Sequence, residues 1–448
     1  MENEKFMDKI IPVVMKFVNT KAIMALKDGI MYTMPLSLIG SIFLLLAQIP
    51  YKPFNDWVAS IFGPAWIVPL LKIYSGSFAL MALAAVMGIA YIYTRNEGHE
   101  GLPAAIIALC SFVMLIPGSV TAIGADKQSI IVGGVLPANW LGGQGMVLSI
   151  IVGLFVGYVY SWFLTKKFTI KMPEGVPQGV VNQFTALIPA LAIFTTLLFV
   201  NIFFTVVAKT TFAEWIFKVL QIPLQGVTDS LFGVFIMGAI IPFFWWFGVH
   251  GAILVGSVMT PIYLANSLAN QAILDSGKQL ILANGAHIIT EQFQSLFVTV
   301  TGSGLTIGLV VAMIIAGKSG QSKALGKLAI WPGIFNINEP VTFGFPIVMN
   351  PFMFIPFVIV PLVSAIATYF AMKIGFLHPF SAVTVPWTTP PIISGFILQG
   401  WRGALWQIII MAWSCAAYFP FFKKQDAINV KTENEAVEEA HADNTLNA

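Results

Sequence analysis

The sequence predicts an all-α polytopic membrane protein, and three observations carry that prediction. Hydrophobic residues make up 57% of the 448 positions and charged residues only 10%, with a mean hydropathy of +0.84. A soluble domain carries about a quarter charged residues, so this much apolar surface calls for lipid. Apolar runs long enough to cross roughly 30 Å of hydrocarbon recur along the chain. The runs are unbroken rather than alternating, which predicts helices, because backbone polar groups in lipid must bond within their own segment.

In chain order, residues 1–29 mix Lys5, Lys9, Lys16, Lys21 and Lys27 with Glu4, Asp8 and Asp28 and lack the apolar core of a cleavable signal. Phe6, Ile10, Val13, Val14 and Phe17 fall at helical spacing, predicting an amphipathic helix along the cytoplasmic membrane surface. Candidate spans follow at about 30–49, 78–94, 103–121, 146–164, 184–208, 231–255, 302–316, 351–372 and 403–422. Basic residues gather at the N-terminus, at Arg95 and at Lys166, Lys167 and Lys171, which places the N-terminus inside. Nine crossings would leave Lys318, Lys323, Lys327, Lys423 and Lys424 outside. A further crossing in the half-polar stretch 279–300 restores the charge rule, giving about ten helices with both termini cytoplasmic. Residues 423–448 hold three lysines against six acids and few apolar residues, predicting a disordered acidic cytoplasmic tail.

Two apolar stretches, 331–350 (WPGIFNINEPVTFGFPIVMN) and 374–400, are cut by Pro and Gly. Backbone broken at membrane depth persists only where protein or a watery cavity satisfies it, and in transporters such segments mark the substrate site. Both are therefore predicted as re-entrant hairpins, with ordinary extracellular loops as the alternative.

Ionisable residues in apolar segments are costly and usually functional. Glu339 lies in the first hairpin beside Asn336, Asn338 and Pro340. His250 ends the aromatic run FFWWFGVHG, and Glu291 sits in 279–300 with Gln292 and Gln294. A carboxylate tied to backbone donors at a helix start is the structural alternative for Glu339, since Pro340 suits a first helical position. Lys373 and Arg402 stand at span ends and can snorkel. Carboxylates, amides and imidazoles suit the recognition of a neutral sugar's hydroxyls, and Trp faces suit its ring. Trp245, Trp246, Trp331 and Trp387 lie near the broken segments. Nothing predicts metal or cofactor chemistry: no GxxxxGK[ST] loop or HExxH spacing occurs. Cys110 and Cys415 lie in apolar runs with no disulfide or zinc spacing. The glycine-rich TGSGLTIG at 301–308 suits close helix packing.

These residues also carry a family resemblance. NINEPVTFGFPIVMNP at 336–351, MPEGVPQGVVNQFTALIP at 172–189, FWWFGVHG at 244–251 and TGSGLTIGL at 301–309 resemble, in order and spacing, membrane IIC subunits of the phosphoenolpyruvate-dependent sugar phosphotransferase system. The likeness is to the lactose/cellobiose/diacetylchitobiose branch and covers the chain up to the tail. It implies a bacterial plasma-membrane permease, a homodimer built through a five-helix part (30–208), with the substrate held by a C-terminal part (209–422). The implied substrate is a β-linked disaccharide of the cellobiose, diacetylchitobiose or lactose type, carried by an elevator-like motion. Phosphorylation would come from a separate phospho-IIB, recharged through IIA and HPr, with no nucleic-acid partner. Glu339 and His250 would be the catalytic and substrate-binding pair, with Asn336, Asn338, Asn182, Gln183, Trp246 and Trp387 as further substrate contacts. A proton-coupled sugar symporter and an integral membrane enzyme are the rival readings.

Overall fold

The computed structural model describes residues 16, 19–47, 52–123, 128–173, 175–248 and 250–446. The amphipathic helix expected over Phe6 to Phe17 lies outside them. The chain divides into two compact units, one of residues 1–227, 256–287 and 381–384, the other of 228–255, 288–380 and 385–448. This cut differs from the expected one after residue 208, because 209–227 and 256–287 pack with the N-terminal part.

The first unit starts with α1 (Lys21–Met31), α2 (Met34–Ala47), α3 (Lys52–Phe62), α4 (Ile67–Ser75) and α5 (Met81–Asn96). Then come α6 (Leu102–Leu115), the short α7 (Ala138–Leu141), α8 (Met146–Thr165) and α9 (Gln178–Ile202). The core is the α1–α5–α8 packing, where Val86, Ile89, Val152 and Val156 are buried. The expected span 103–121 stops at Leu115. Ile116 precedes Pro117, whose ring disfavours a helical conformation at the residue before it, and Ile116 is extended. The chain continues as an antiparallel hairpin, Ser119–Ile123 against Ser129–Gly133, the one sheet among the described residues. The unit goes on through α10 (Phe212–Ile216) and α11 (Ile222–Thr228). Thr211 caps α10 by accepting from Glu214 N, and the Glu214 carboxylate accepts from Thr211 N, a reciprocal capping box.

The second unit opens with α12 (Leu231–Trp246), whose N-cap is Ser230. The expected single span 231–255 is in fact two helices. α12 ends at Trp246, Gly248 turns the chain at φ +77, and α13 (Gly251–Asp275) begins anew, its residues from 256 on belonging to the first unit. Nor is 279–300 a crossing: it holds a 3-10 turn at Leu282–Asn284, then α14 (Glu291–Phe293) and a π turn at Gln294–Val298. Its half-polar composition reflects backbone folded on itself. The unit continues with α15 (Ile307–Ala316), α16 (Gly320–Ile334), α17 (Glu339–Gly344), α18 (Pro351–Lys373) and α19 (Ile393–Leu446), the last kinked at Gly400. α12 packs on α18 and α15 on α19.

Among the described residues six helices are long and apolar enough to cross a membrane, and up to seven if the broken pair 212–228 and 231–246 is one span. Leu102–Leu115 and Ile307–Ala316 are shorter apolar helices. Large apolar side chains such as Leu191, Phe199, Val207 and Phe232 are exposed, which is tolerable on a lipid-facing surface.

Residues 423–446, expected as a disordered tail, continue α19. Two of the acids explain part of this. Asp426 accepts from Lys318 N (2.7 Å), Ser319 N (3.3 Å) and Ser319 Oγ (2.8 Å). Glu433 accepts from Gly320 N (2.9 Å) and Gln321 N (3.0 Å). The Ser319, Gly320 and Gln321 amides are unpaired donors at the start of α16, where the helix dipole also favours an anion. Asp426→Ala therefore lowers stability by about 1–3 kcal/mol. In a thermal melt of the purified protein that is a Tm loss of a few degrees, whereas Glu435→Ala, on the exposed Lys431 pair, leaves Tm unchanged.

Candidate functional site

The broken backbone of the second unit is held by amide side chains. Asn336, at φ +64 and 5% exposed, accepts from Thr301 N at 2.6 Å and donates to Trp387 O and Thr389 O. It thus ties the glycine-rich turn, the NINEP stretch and the 387–389 loop together. Asn338, 3% exposed, donates to Ser303 O (2.7 Å) and Thr342 Oγ1 (2.9 Å). Gly302 beside it has φ +95, and a Cβ there would stand 2.4 Å from that of Asn338, so only glycine fits. The amide nitrogens of Asn336 and Asn338, both expected as substrate contacts, serve backbone and side-chain oxygens of their own unit. The glycine-rich run is secured from α19, where Ser414 Oγ accepts from Gly308 N and Tyr418 Oη donates to Gly304 O.

This frame presents Glu339 as the first residue of α17. Glu339 Oε1 lies 4.0 Å from His250 Nε2, and both side chains are 44% exposed. Glu339 Oε2 is shielded and has no hydrogen-bond partner among the described residues. A buried acceptor without a donor is costly, which makes this oxygen a place for a ligand hydroxyl. His250 follows the α12–α13 break, and its ring rests on Trp245 at 4.4 Å between centroids. Trp245 also faces Phe343 of α17 at 5.8 Å, and its Nε1 is buried without a partner among the described residues.

Trp245, one of the four tryptophans noted near the broken segments but not among the expected substrate contacts, is the one that packs on His250. The neighbouring Trp246, expected as a sugar contact, donates through Nε1 to Asn350 O (2.8 Å) and packs on Phe354. Helical phase puts adjacent tryptophans about 100° apart, so only one faces the pair. Trp387 exposes its ring while its carbonyl accepts from Asn336. Asn182 and Gln183 lie in the first turns of α9 in the first unit, with Gln183 exposed. Gln292 and Gln407 were also missed as structural anchors. Gln292 Oε1 accepts from Val385 N, and Gln407 bridges Ile392 N and Gly395 N to Leu296 O. Glutamine inside the apolar run WQIIIMAW was a readable signal for the second. No cluster of three or more His, Cys, Asp or Glu that could hold a metal occurs among the described residues.

Apolar helices long enough to span lipid, broken in one unit to present a carboxylate–imidazole pair, define a helical membrane transporter. Residues 27–361 match the family model "Phosphotransferase system, EIIC". The chain is 36% identical over 437 residues to the lichenan permease IIC component of Bacillus subtilis (strain 168), covering 97% of this chain and 95% of that one. It is 36% identical to the cellobiose-specific EIIC component of Geobacillus stearothermophilus, covering 94% and 93%. Among solved structures it superposes on the transporter ChbC, the IIC component of the N,N'-diacetylchitobiose-specific phosphotransferase system. That match has a TM-score of 0.90 and 37% identity, with 95% and 98% of the chains covered. The protein belongs to the phosphotransferase-system EIIC family of sugar permeases.

Proposed function

We propose that this permease binds an extracellular β-linked disaccharide of the cellobiose, diacetylchitobiose or lactose type and presents it inside the cell to a separate phospho-IIB, itself recharged through IIA and HPr. The observation that carries this reading is the Glu339–His250 pair, with Oε2 of Glu339 shielded and awaiting a donor. The relatives named for lichenan, cellobiose and diacetylchitobiose support the β-linked class. Glu339 orients the reacting hydroxyl and takes up its proton, and His250 partners it. General-base assistance of this kind contributes typically 10²–10⁴-fold.

Ten crossings with both termini cytoplasmic fit the helices. The six long spans, the bent pair, α6, α15 and the 25-residue α13 make that number. The lysine-rich stretches then fall inside. The two hairpins are residues 331–350 and 374–400, and the carriage is an elevator-like movement of the C-terminal part. Dimerisation through the N-terminal helices is supported by α9, part of an apolar span only 11% buried within the chain.

Proteoliposomes test the reading. With phospho-IIB inside, external [¹⁴C]cellobiose, diacetylchitobiose or lactose accumulates as its phosphate, and without IIB none does. Accumulation of unmodified sugar, collapsed by an uncoupler, would replace this reading with proton symport. Trp245→Ala weakens binding of the transported sugar at least tenfold, measured by equilibrium dialysis. Trp246→Phe changes it less than twofold, because the indole hydrogen bond to Asn350 touches no ligand.

A further inference from the structure

A cavity lies wholly within the first unit, apart from Glu339, His250 and every residue described around them. Its volume is about 540 Å³, within the roughly 300–1,000 Å³ of small-molecule sites. Tyr74 and Phe217 supply aromatic rings to its lining, and Asn139, Gln144, Gln221 and Asp275 supply polar groups. Gln221 is 2% exposed; its Nε2 donates to Gly143 O at 2.8 Å, and its Oε1 has no partner among the described residues. The floor is a built structure, since Asn270 clasps both backbone groups of His287, donating to its carbonyl and accepting from its amide.

We infer that this cavity is a second carbohydrate site, one that takes a neutral glycoside. Three features choose the ligand class. Among the described residues no Lys or Arg lines the cavity, which removes the usual recognition of phosphate or an anionic lipid headgroup. Gln221 Oε1 is a buried acceptor, which a sugar hydroxyl satisfies and an acyl chain does not. Aromatic rings beside amides and a carboxylate match a pyranose, apolar on its faces and polar around its edge. The cavity adjoins the N-terminal ends of α5 and α8, opposite the ends that lead to Arg95 and to Lys166 and Lys167. In the orientation proposed above it opens toward the outside, where it captures sugar ahead of the Glu339 site. The ligand class thus rests on the proposed function, while the site rests on its own residues.

Photolabelling separates the two. The full-length protein in phosphatidylethanolamine–phosphatidylglycerol nanodiscs is labelled with diazirine-bearing cellobioside, chitobioside, lactoside and β-mannobioside, and adducts are mapped by mass spectrometry. The expected result, with at least one probe, is adducts within 137–145 or 217–226 that free disaccharide competes away. These fall at least fivefold in Ala272→Trp, which fills the cavity from its exposed rim, and in Gln221→Leu, and they persist in Glu339→Gln. Adducts on the 339–344 segment report separately on the proposed function. The inference is overturned by an absence of competable cavity adducts, by their survival in Ala272→Trp, or by their loss in Glu339→Gln. Cavity labelling by a photoactivatable phospholipid and by none of the glycosides also overturns it.

Discussion

Replacing Glu339 by Gln leaves the permease inserted at wild-type levels and lowers uptake of its sugar by two orders of magnitude or more. The substitution keeps size and most of the polarity but removes the charge and the proton-accepting capacity of the oxygens beside His250. Hydrogen bonds to a charged group contribute about 1.5–3 kcal/mol, so binding alone weakens roughly 10- to 150-fold. The loss of base assistance then acts on the phosphoryl-transfer step. The measurements are radiolabelled uptake, equilibrium binding and phospho-IIB-dependent sugar phosphorylation, each normalised to immunodetected membrane protein. Wild-type uptake by this variant would remove Glu339 from the mechanism. Because its side chain is 44% exposed and its Oε2 has no hydrogen-bond partner among the described residues, the thermal stability of sugar-free protein stays within a degree or two of wild type.

Asn336→Ala acts through the frame instead. It deletes three hydrogen bonds at a nearly fully buried position, leaving Thr301 N, Trp387 O and Thr389 O to find other partners. Each buried group left unsatisfied costs about 1–3 kcal/mol. Alanine must also hold the left-handed conformation that asparagine tolerates better, at roughly 1 kcal/mol. The expected outcome is a fall in Tm of several degrees in detergent, together with loss of sugar binding, since three segments of the broken backbone separate. The contrast with Glu339→Gln is the diagnostic. If Asn336→Ala lost binding at unchanged Tm, the side chain would be a ligand contact rather than a tie.

How legible the site was in the sequence depends on the residue. Glu339 and His250 stood out because ionisable groups are rare in apolar helices, and the structure places them 4.0 Å apart. Asn336 and Asn338 also stood out, but their types suit both sugars and backbone, and composition does not separate the two uses. Trp245 and Trp246 are adjacent and chemically identical, so only the helix's rotation and the break at Gly248 decide which ring reaches the imidazole. The acidic tail misled for a similar reason. Its charges look solvated until Asp426 and Glu433 are seen on the amides at the start of α16, a pairing across more than a hundred residues.

Residence in lipid, the helical class, the broken segments and the rarity of Glu339 and His250 were determined by the sequence by itself, because each is a property of local composition. Tertiary structure alone decided where helices break and what satisfies the broken backbone. It replaced an expected crossing at 279–300 with a folded segment, and it split 231–255 into two helices. It also enclosed a cavity from stretches as distant as Tyr74 and Asp275. The physical reason is common to all of these. A backbone group freed in an apolar medium must find a partner, and that partner is chosen by three-dimensional proximity, which no window along the chain contains.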